Sequence, residues 1–357
     1  MMDLNSFNFI MTERCNFNCS YCYQERGTED LDVDTAKRAV DFFFPFFTGK
    51  CHVNFSGGEP LLVFDEVVRI VGHIREMNHK PQKSIDYSLT TNGILLSDEM
   101  LRFLDSNRFS LNVSFDGMAQ EIFREKGSFS QIVSALEKIR NHPAISLQTN
   151  SVFTPKSIEY LSESIQYILE QDVPDILFSL SITSSWDSHS IANLKEELKS
   201  LREILLIIYK KTGKIPVANY RKDSNSGGFY CPAGEDRMSL MPDGRLWGCY
   251  FFADFARTGD KTGEFEKYCF GDLDTFGNKQ ATLYPKILSN YSKMNLIGYQ
   301  TPDRNCLQCV EMKECGLCPV EPLFSGSTLG KIPGYVCEMK KITREEKNKF
   351  WKDLERD

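Results

Sequence analysis

The sequence lacks the usual marks of a secreted or membrane-bound protein. No stretch of its 357 residues resembles a signal peptide or a membrane span, and the most apolar run, residues 42–47, is too short to cross a bilayer and contains a proline. Basic charge is not in excess, because the formal net charge is −7, which argues against a nucleic-acid backbone as partner. We therefore expect a cytoplasmic protein.

Histidine is also scarce, whereas cysteine is abundant. The five histidines are scattered, and none has metal-ligand spacing. Twelve cysteines without a secretion signal indicate a reducing compartment, where clustered thiols bind metals more often than they form disulfides. Cys51 and His52 are the exception, because they lie beside a predicted buried strand and are expected to be packing residues.

Three cysteines, Cys15, Cys19 and Cys22, form a C-x3-C-x2-C loop after a short apolar run. This spacing supplies three thiolates and no fourth. A [4Fe–4S] cluster held by three cysteines keeps one iron open to an outside ligand, so the loop predicts a cluster that takes part in chemistry. Structural zinc is the alternative, but zinc takes four ligands and no nearby His or Cys completes the set.

The first half of the chain alternates short β-rich runs with helical patterns. Six β–α units in series imply parallel strands joined by right-handed crossovers, which predicts an α/β fold with a partial (β/α)6 TIM-like barrel over residues 1–183 and its site at the carboxyl ends of the strands. The predicted strands are residues 7–11, 52–55, 85–89, 109–115, 145–152 and 176–182. The predicted helices start at Asp34 and Phe64, cover residues 98–105 and 129–140, and start again at Pro155.

Polar residues follow several of these strands. A Gly-Gly-Glu-Pro sequence at residues 57–60 ends the second strand, where paired glycines allow close approach to a ligand and a carboxylate can accept from an ammonium group. A plain β-turn is the alternative for this motif. Other polar residues at strand ends would either face the interior of the barrel or cap a helix or turn. These residues are Thr91, Asn92, Ser114, Asp116 and Asn150.

The cysteine loop, with an aromatic residue just before its last cysteine, resembles the signature loop of the radical S-adenosylmethionine (radical SAM) superfamily. In that family the open iron is chelated by SAM, and an electron from the cluster cleaves SAM to a 5′-deoxyadenosyl radical. The resemblance implies the same partial barrel and gives Cys15, Cys19 and Cys22 a catalytic role. The cofactor-binding residues that it implies are Tyr21, Gly57, Gly58, Glu59, Pro60, Thr91, Asn92, Ser114, Asp116 and Asn150.

The pattern changes after the barrel. The sequence predicts a helical connection over residues 184–228. It consists of a charged helix at 191–211 and a polar, glycine-containing linker at 222–228. Residues 229–341 then carry a second set of cysteines, and residues 342–357 read as a charged C-terminal helix. A Pro-Asp-Gly turn at 242–244 predicts a hairpin between the first two cysteines of this set.

This second set resembles the SPASM domain, the auxiliary-cluster extension of radical SAM enzymes that modify peptides and proteins. One structural zinc could use only four of the seven cysteines, and zinc remains the alternative. By position, the resemblance assigns an outer [4Fe–4S] cluster to Cys306, Cys309, Cys315 and Cys337. It assigns an inner one to Cys231, Cys249 and Cys318. The inner set is one ligand short, which leaves an open iron or a further residue such as Cys269; Cys318 follows a shorter spacing than the family has.

The two resemblances together predict a radical SAM peptide maturase. It would modify a ribosomally made peptide by hydrogen abstraction, giving a crosslink, a thioether or an oxidation, with a reductase such as flavodoxin or ferredoxin as electron donor. The first alternative is an anaerobic sulfatase-maturating enzyme, which carries an aspartate where this chain has Tyr250, with Asp254 near but out of register. An alternative of another class is a non-catalytic iron–sulfur or zinc scaffold that binds a peptide.

Overall fold

A computed structural model of the chain describes residues 2–222, 230–296, 299–302, 304–312 and 315–356. The predicted linker lies, apart from Lys222, outside the described residues. All six predicted strands of the first half are present, with ends that differ by a few residues. Their bounds are β1 Leu4–Ile10, β2 Phe47–Ser56, β3 Ser84–Thr91, β4 Ser110–Ser114, β5 Ser146–Phe153 and β6 Asp175–Leu180.

These strands form a parallel sheet in which each pairs with its neighbour in sequence, from β1 to β6. This order confirms the partial (β/α)6 barrel. One face of the strands carries fully buried residues such as Phe9, Phe55 and Leu111, and stacking of the Phe9 and Phe55 rings, 5.5 Å apart, adds to that packing. Successive side chains of a strand point to opposite faces, and the residues that alternate with these, which face the interior of the barrel, are mostly polar.

Helices connect the strands and cover their outer face. Asp32 caps α1 and Ser97 caps α3, each through a side-chain oxygen that accepts from a backbone N–H of the first turn. The helix bounds are α1 Val33–Phe43, α2 Phe64–Met77, α3 Asp98–Ser106, α4 Gln120–Phe123, α5 Phe129–Arg140, α6 Leu161–Glu170 and α7 Ser188–Thr212.

One predicted helix start is wrong. We expected a helix from Pro155, but α6 begins at Leu161 after a short 3-10 turn at Ile158–Tyr160. The Ser157 hydroxyl accepts from the Thr154 N–H at 2.8 Å, and the Ser157 N–H donates to the Thr154 carbonyl at 3.0 Å. This side-chain turn takes the hydrogen-bonding groups that a helix starting at Pro155 would use.

The second half of the chain continues the same sheet. The predicted hairpin is present as β7 Arg237–Leu240 and β8 Arg245–Trp247, and β7 pairs in parallel with β1, so the sheet reaches nine strands in the order β6-β5-β4-β3-β2-β1-β7-β8-β9. The remaining elements are α8 Tyr250–Thr258, β9 Cys269–Asp272, α9 Leu273–Leu296, β10 Gln300–Thr301, β11 Arg304–Asn305, α10 Glu321–Phe324 and α11 Gly334–Leu354.

The C-terminal helix is longer than predicted and packs on α7. It begins at Gly334 rather than near residue 342, so that Cys337 lies in its first turn. Arg202 of α7 contacts Glu346 at 3.0 Å and pairs with Asp353, which ties the two helices together. Among the described residues, no helix is both long and apolar enough to cross a membrane.

Candidate active site

The cysteine loop follows β1 directly and lies at the carboxyl ends of the parallel strands. Cys15 and Cys19 are half-buried, and Cys22 is exposed. Backbone contacts fold the loop: the Cys22 N–H donates to the Cys19 carbonyl at 3.2 Å, and the Ser20 N–H donates to the Phe123 carbonyl at 2.8 Å. The second contact attaches the loop to α4, beside the end of β4.

The three thiols are close enough to influence one another. Burial raises the pKa of Cys19 to about 11, with further increases from Cys22 and Cys15 and an opposing effect of Arg124. Burial also raises the pKa of Cys15, and Cys22 adds to that increase. A cationic iron core offsets this penalty on the thiolates, because metal coordination favours the deprotonated thiol.

A buried ion pair anchors the loop through Tyr21. The Tyr21 hydroxyl donates to Asp116, which is fully buried at the end of β4, and Arg124 contacts the same carboxylate at 2.9 and 3.0 Å. Asp116 also accepts from the Val152 N–H at 2.8 Å. These contacts attach the cysteine loop to the end of β4 through Tyr21 and Asp116.

Gly57 and Gly58 bring the second strand's end against this loop. Gly57 has φ +136°, and a side chain there would lie 2.5 Å from the Thr12 carbonyl oxygen. A side chain at Gly58 would lie 2.2 Å from the Arg14 carbonyl oxygen. The Gly-Gly-Glu-Pro motif continues the sheet's hydrogen bonding into the loop. The Gly58 N–H donates to the Thr12 carbonyl and the Glu59 N–H donates to the Arg14 carbonyl, both at 2.8 Å.

The Glu59 carboxylate is buried and held from three sides. It accepts from the Leu61 N–H, the Thr91 hydroxyl and the Asn92 N–H at 2.7–3.0 Å. Burial raises the pKa of Glu59 to about 7, and these hydrogen bonds oppose the increase. Asn92 in turn donates to Asn16 of the cysteine loop at 2.7 Å. The structure thus brings Glu59, Thr91 and Asn92 together beside the loop, and Pro60 opens the 3-10 turn that follows.

Ser114 and Asn150 are register partners on the inner face of β4 and β5. The Asn150 side chain accepts from the Ser179 hydroxyl at 3.2 Å. Further from the opening, Ser88 donates to Asn54 at 2.7 Å. The inner wall is therefore lined by amide and hydroxyl groups, which are suited to binding neutral polar groups.

The four cysteines of the predicted outer set line one cavity: Cys306, Cys309, Cys315 and Cys337. Lys340 and Arg344 of α11 line the same cavity, and both lower the pKa of Cys315, although burial raises it more. An all-thiol cage with cations beside it fits an anionic iron–sulfur cluster.

The three cysteines of the predicted inner set also lie together. Burial raises the pKa of Cys249 to about 12, and Cys318 and Cys231 raise it further. The Cys269 thiol contacts the Leu246 carbonyl at 3.6 Å and the Gly271 N–H at 3.3 Å, and Cys269, Cys249 and Cys231 all lie near Tyr291.

In the part of the chain that the structure describes, no group of three or more His, Cys, Asp or Glu converges on a single metal ion. A [4Fe–4S] cluster places each thiolate on a separate iron. The donor chemistry of all three cysteine groups, which consists of thiols alone, fits such clusters.

Sequence reasoning missed Tyr23, and it named Tyr250 and Asp254 only in weighing the sulfatase-maturating alternative. Tyr23 follows Cys22 and Tyr250 follows Cys249, and the two rings pack on Phe251 at 4.9 and 4.7 Å. Asp254, one helical turn after Tyr250, is buried and has an oxygen without a hydrogen-bond partner among the described residues. Burial raises the pKa of Asp254 to about 7, while Gln24 donates to it and opposes the increase. The i, i+4 spacing of Tyr250 and Asp254 was the available signal.

Comparison with known proteins identifies the first half of the chain. Residues 9–168 match the model of the Radical SAM superfamily. This part of the chain is a radical SAM domain. The superfamily consists of enzymes that use a [4Fe–4S] cluster and SAM, which agrees with the loop and its surroundings.

Three curated relatives are similar to this chain at 21–28% identity. An uncharacterized protein of Methanocaldococcus jannaschii is 28% identical over 48% of this chain, which spans 60% of that protein's length. A probable GTP 3′,8-cyclase of the same organism is 28% identical over 62% of this chain and 72% of its own. The radical SAM cyclopropyl synthase TigE of Paramaledivibacter caminithermalis is 21% identical, over 99% of this chain and 76% of its own.

Solved structures share the fold across nearly the whole chain. anSMEcpe with bound AdoMet and the Kp18Cys peptide has a TM-score of 0.75 at 17% identity, over 99% of both chains. Streptococcus suis SuiB bound to its precursor peptide SuiA has a TM-score of 0.63 at 16% identity, over 94% of this chain and 76% of SuiB. This chain therefore shares the fold of these structures across both its barrel and its cysteine-rich half.

Proposed function

We propose that the protein is a radical SAM peptide maturase. It cleaves SAM reductively at a [4Fe–4S] cluster held by Cys15, Cys19 and Cys22, and it modifies a ribosomally made peptide by hydrogen abstraction. The observation that carries this proposal is the joint placement of three all-thiol groups in one fold. That fold extends along the full length of an enzyme crystallised with AdoMet and a peptide.

The cluster and SAM together supply a radical able to abstract hydrogen from unactivated carbon. The chain's own residues position them. Tyr21, Asp116 and Arg124 fix the cysteine loop against β4, and the Glu59 carboxylate orders the ends of β2 and β3 beside it. The close approach at Gly57 and Gly58 places backbone groups next to the loop, where the amino group of SAM would bind.

A peptide fits the described site better than a nucleoside triphosphate does. Three arginines near the cysteine loop are paired with carboxylates, Arg14 with Asp30, Arg124 with Asp116 and Arg257 with Glu13, and Arg26 donates to the Phe17 carbonyl. The inner wall offers amide and hydroxyl groups such as those of Asn150 and Ser179. A triphosphate needs unpaired cations, whereas a peptide backbone binds to neutral donors and acceptors.

The two auxiliary clusters belong to the same proposal. Cys306, Cys309, Cys315 and Cys337 would hold the outer cluster, and Cys231, Cys249 and Cys318 the inner one. A reductase of the flavodoxin or ferredoxin type would supply electrons to the protein.

Sulfatase maturation is the second candidate, and one observation favours it. Asp254 lies one turn after Tyr250 on α8. One of its carboxylate oxygens is buried and has no hydrogen-bond partner among the described residues. From this position it could act as the base that the aspartate next to the cysteine supplies in sulfatase-maturating enzymes. The missing aspartate at position 250 keeps this candidate second.

The test is formation of 5′-deoxyadenosine by anaerobically reconstituted protein with SAM and dithionite, beside a Cys19→Ala variant as control. We expect product from the wild type and none from the variant. Adding a cysteine-containing substrate peptide of a sulfatase maturase distinguishes the candidates, because only the second one predicts formylglycine. SAM binding without cleavage would contradict both and support the non-catalytic scaffold.

A further inference from the structure

Two glycines next to the inner cysteines lie in backbone contact. Gly248 directly precedes Cys249, and Gly234 lies three residues after Cys231. A side-chain carbon at Gly248 would lie 2.4 Å from the Gly234 backbone nitrogen, so no larger residue fits there without movement of the chain. Gly234 has φ +77°, a conformation that favours glycine. This close approach sets the separation of the two segments that carry the cysteines.

Tyr291 of α9 packs against both glycines and is 1% exposed. Its ring would lie 2.7 Å from an added carbon at Gly234 and 2.8 Å from one at Gly248. Its hydroxyl accepts from the Gly248 N–H at 2.9 Å and donates to the Tyr268 carbonyl at 2.8 Å. The ring therefore supports both segments, and the hydroxyl fixes the residue that precedes Cys249.

The surroundings of Tyr291 are aromatic and buried. Its ring lies 5.2 Å from that of Phe252, 5.1 Å from that of Tyr268 and 6.0 Å from that of Phe270, and these three residues are at most 4% exposed. Water cannot replace a hydrogen bond that is lost in such a place, so the donor and acceptor would be left unpaired. The packing thus holds Tyr291 in one position.

We infer that Tyr291 is the positioning residue of the inner cluster. Its ring and hydroxyl hold Cys231 and Cys249 at the spacing that the cluster requires. The inference rests on the proposed function, because it requires that cluster. Tyr291 acts through the backbone, since its hydroxyl is already engaged by Gly248 and Tyr268.

Two substitutions separate the contributions of Tyr291, and the same helix offers a matched control. Tyr291→Phe removes the hydroxyl and keeps the ring, whereas Tyr291→Leu removes both. Phe276 of α9 is also fully buried and stacks on Phe43 of α1, 5.8 Å away. The atoms nearest to an added carbon at Gly234 or Gly248 do not belong to it. Phe276→Leu therefore opens a comparable cavity without disturbing the glycine contact.

The test measures iron per chain, EPR spectra of the reduced protein and the rate of iron release to bathophenanthroline, all on anaerobically reconstituted full chain. Cys249→Ala and Cys315→Ala identify the inner and outer signals. We expect about twelve irons in the wild type and Phe276→Leu. We expect about eight in Tyr291→Leu, with only the inner signal missing. Tyr291→Phe should release inner-cluster iron about tenfold faster than the wild type, because one buried hydrogen-bonding residue is lost.

Thermal unfolding is recorded for every variant, because a general loss of stability would lower all three signals together. That result in Tyr291→Leu, or an intact inner cluster there, would overturn the inference. If Tyr291→Leu does not fold, Tyr291→Phe decides, and release no faster than in Phe276→Leu would overturn it. A wild type without an inner-cluster signal overturns it as well. Absence of 5′-deoxyadenosine formation by the wild type marks failure of the proposed function itself.

Discussion

At the scale of single residues, charges inside the protein decide how the site is held. Asp116 and Arg124 are buried together beneath Tyr21, so removing either one leaves the other as an unpaired buried charge. Asp254 has a carboxylate oxygen without a partner among the described residues, and burial of its charged form costs stability. Replacing Asp by Asn is therefore expected to have opposite effects on stability at positions 116 and 254.

Asp116→Asn should destabilise the protein by about 3–5 kcal/mol, because it breaks a buried ion pair and frees the Tyr21 anchor. We also expect less iron bound at the cysteine loop. Urea unfolding and iron analysis measure the two effects. Asp86→Asn is the control: its pair with Lys50 is exposed, and its loss should cost less than about 1 kcal/mol. Equal effects of the two substitutions would contradict the anchoring role.

Asp254→Asn should stabilise the protein at pH 8 and have little effect at pH 4. Burial raises the pKa of Asp254 from 3.8 to about 7, so its contribution to stability is fully present below pH 3.8 and is lost as the pH rises through about 7. With about 1.4 kcal/mol for each pH unit, the gain approaches 4 kcal/mol. Urea unfolding at both pH values measures it. Asp32→Asn, at an exposed helix cap, should change little because Asn also caps. A destabilised Asp254→Asn at pH 8 would refute the account.

At the scale of secondary-structure elements, strand ends and helix contacts place the residues that do chemistry. The end of β2 is pressed against the cysteine loop at Gly58, and α11 is tied to α7 through Arg202. Periodicity predicted the strands and most helices, since buried runs and caps are local signals. It failed at Pro155, where a side-chain turn replaced the helix start, and it did not predict α9.

Gly58→Ala should prevent normal assembly of the cysteine loop, because the added carbon would lie 2.2 Å from the Arg14 carbonyl oxygen. Iron at the SAM-binding cluster and thermal stability should both fall. Gly72→Ala in α2 is the matched control: nothing lies within 4 Å of its added carbon, and a stabilisation of about 0.5–1 kcal/mol is expected. Normal iron content in Gly58→Ala would contradict the close approach.

Arg202→Met should loosen α11 from α7 and destabilise the protein by up to about 3 kcal/mol, because Glu346 is buried and, among the described residues, Lys349 is its remaining ion-pair partner. Thermal unfolding checks this. Glu355→Gln, in an exposed pair with Lys222, should change stability by less than about 1 kcal/mol. The prediction fails if both variants unfold alike.

At the scale of the whole molecule, one sheet joins the two halves. Because β7 pairs with β1, the segment that carries the inner cysteines is part of the same sheet as the barrel strands. Cysteine spacing predicted which thiols would group, as Cys306, Cys309, Cys315 and Cys337 illustrate. Spacing could not predict that Asp116 and Glu59 would be held by the protein itself, or that Tyr23 and Tyr250 would pack on the same Phe251 ring, since these contacts arise only from tertiary folding.

The central claim is that the three cysteine groups each hold a [4Fe–4S] cluster. The most direct measurement is iron, sulfide and zinc per chain on anaerobically reconstituted protein. The account predicts about twelve irons, matching sulfide and no zinc. About four irons together with zinc would contradict it and leave the cysteines after residue 230 with a structural role.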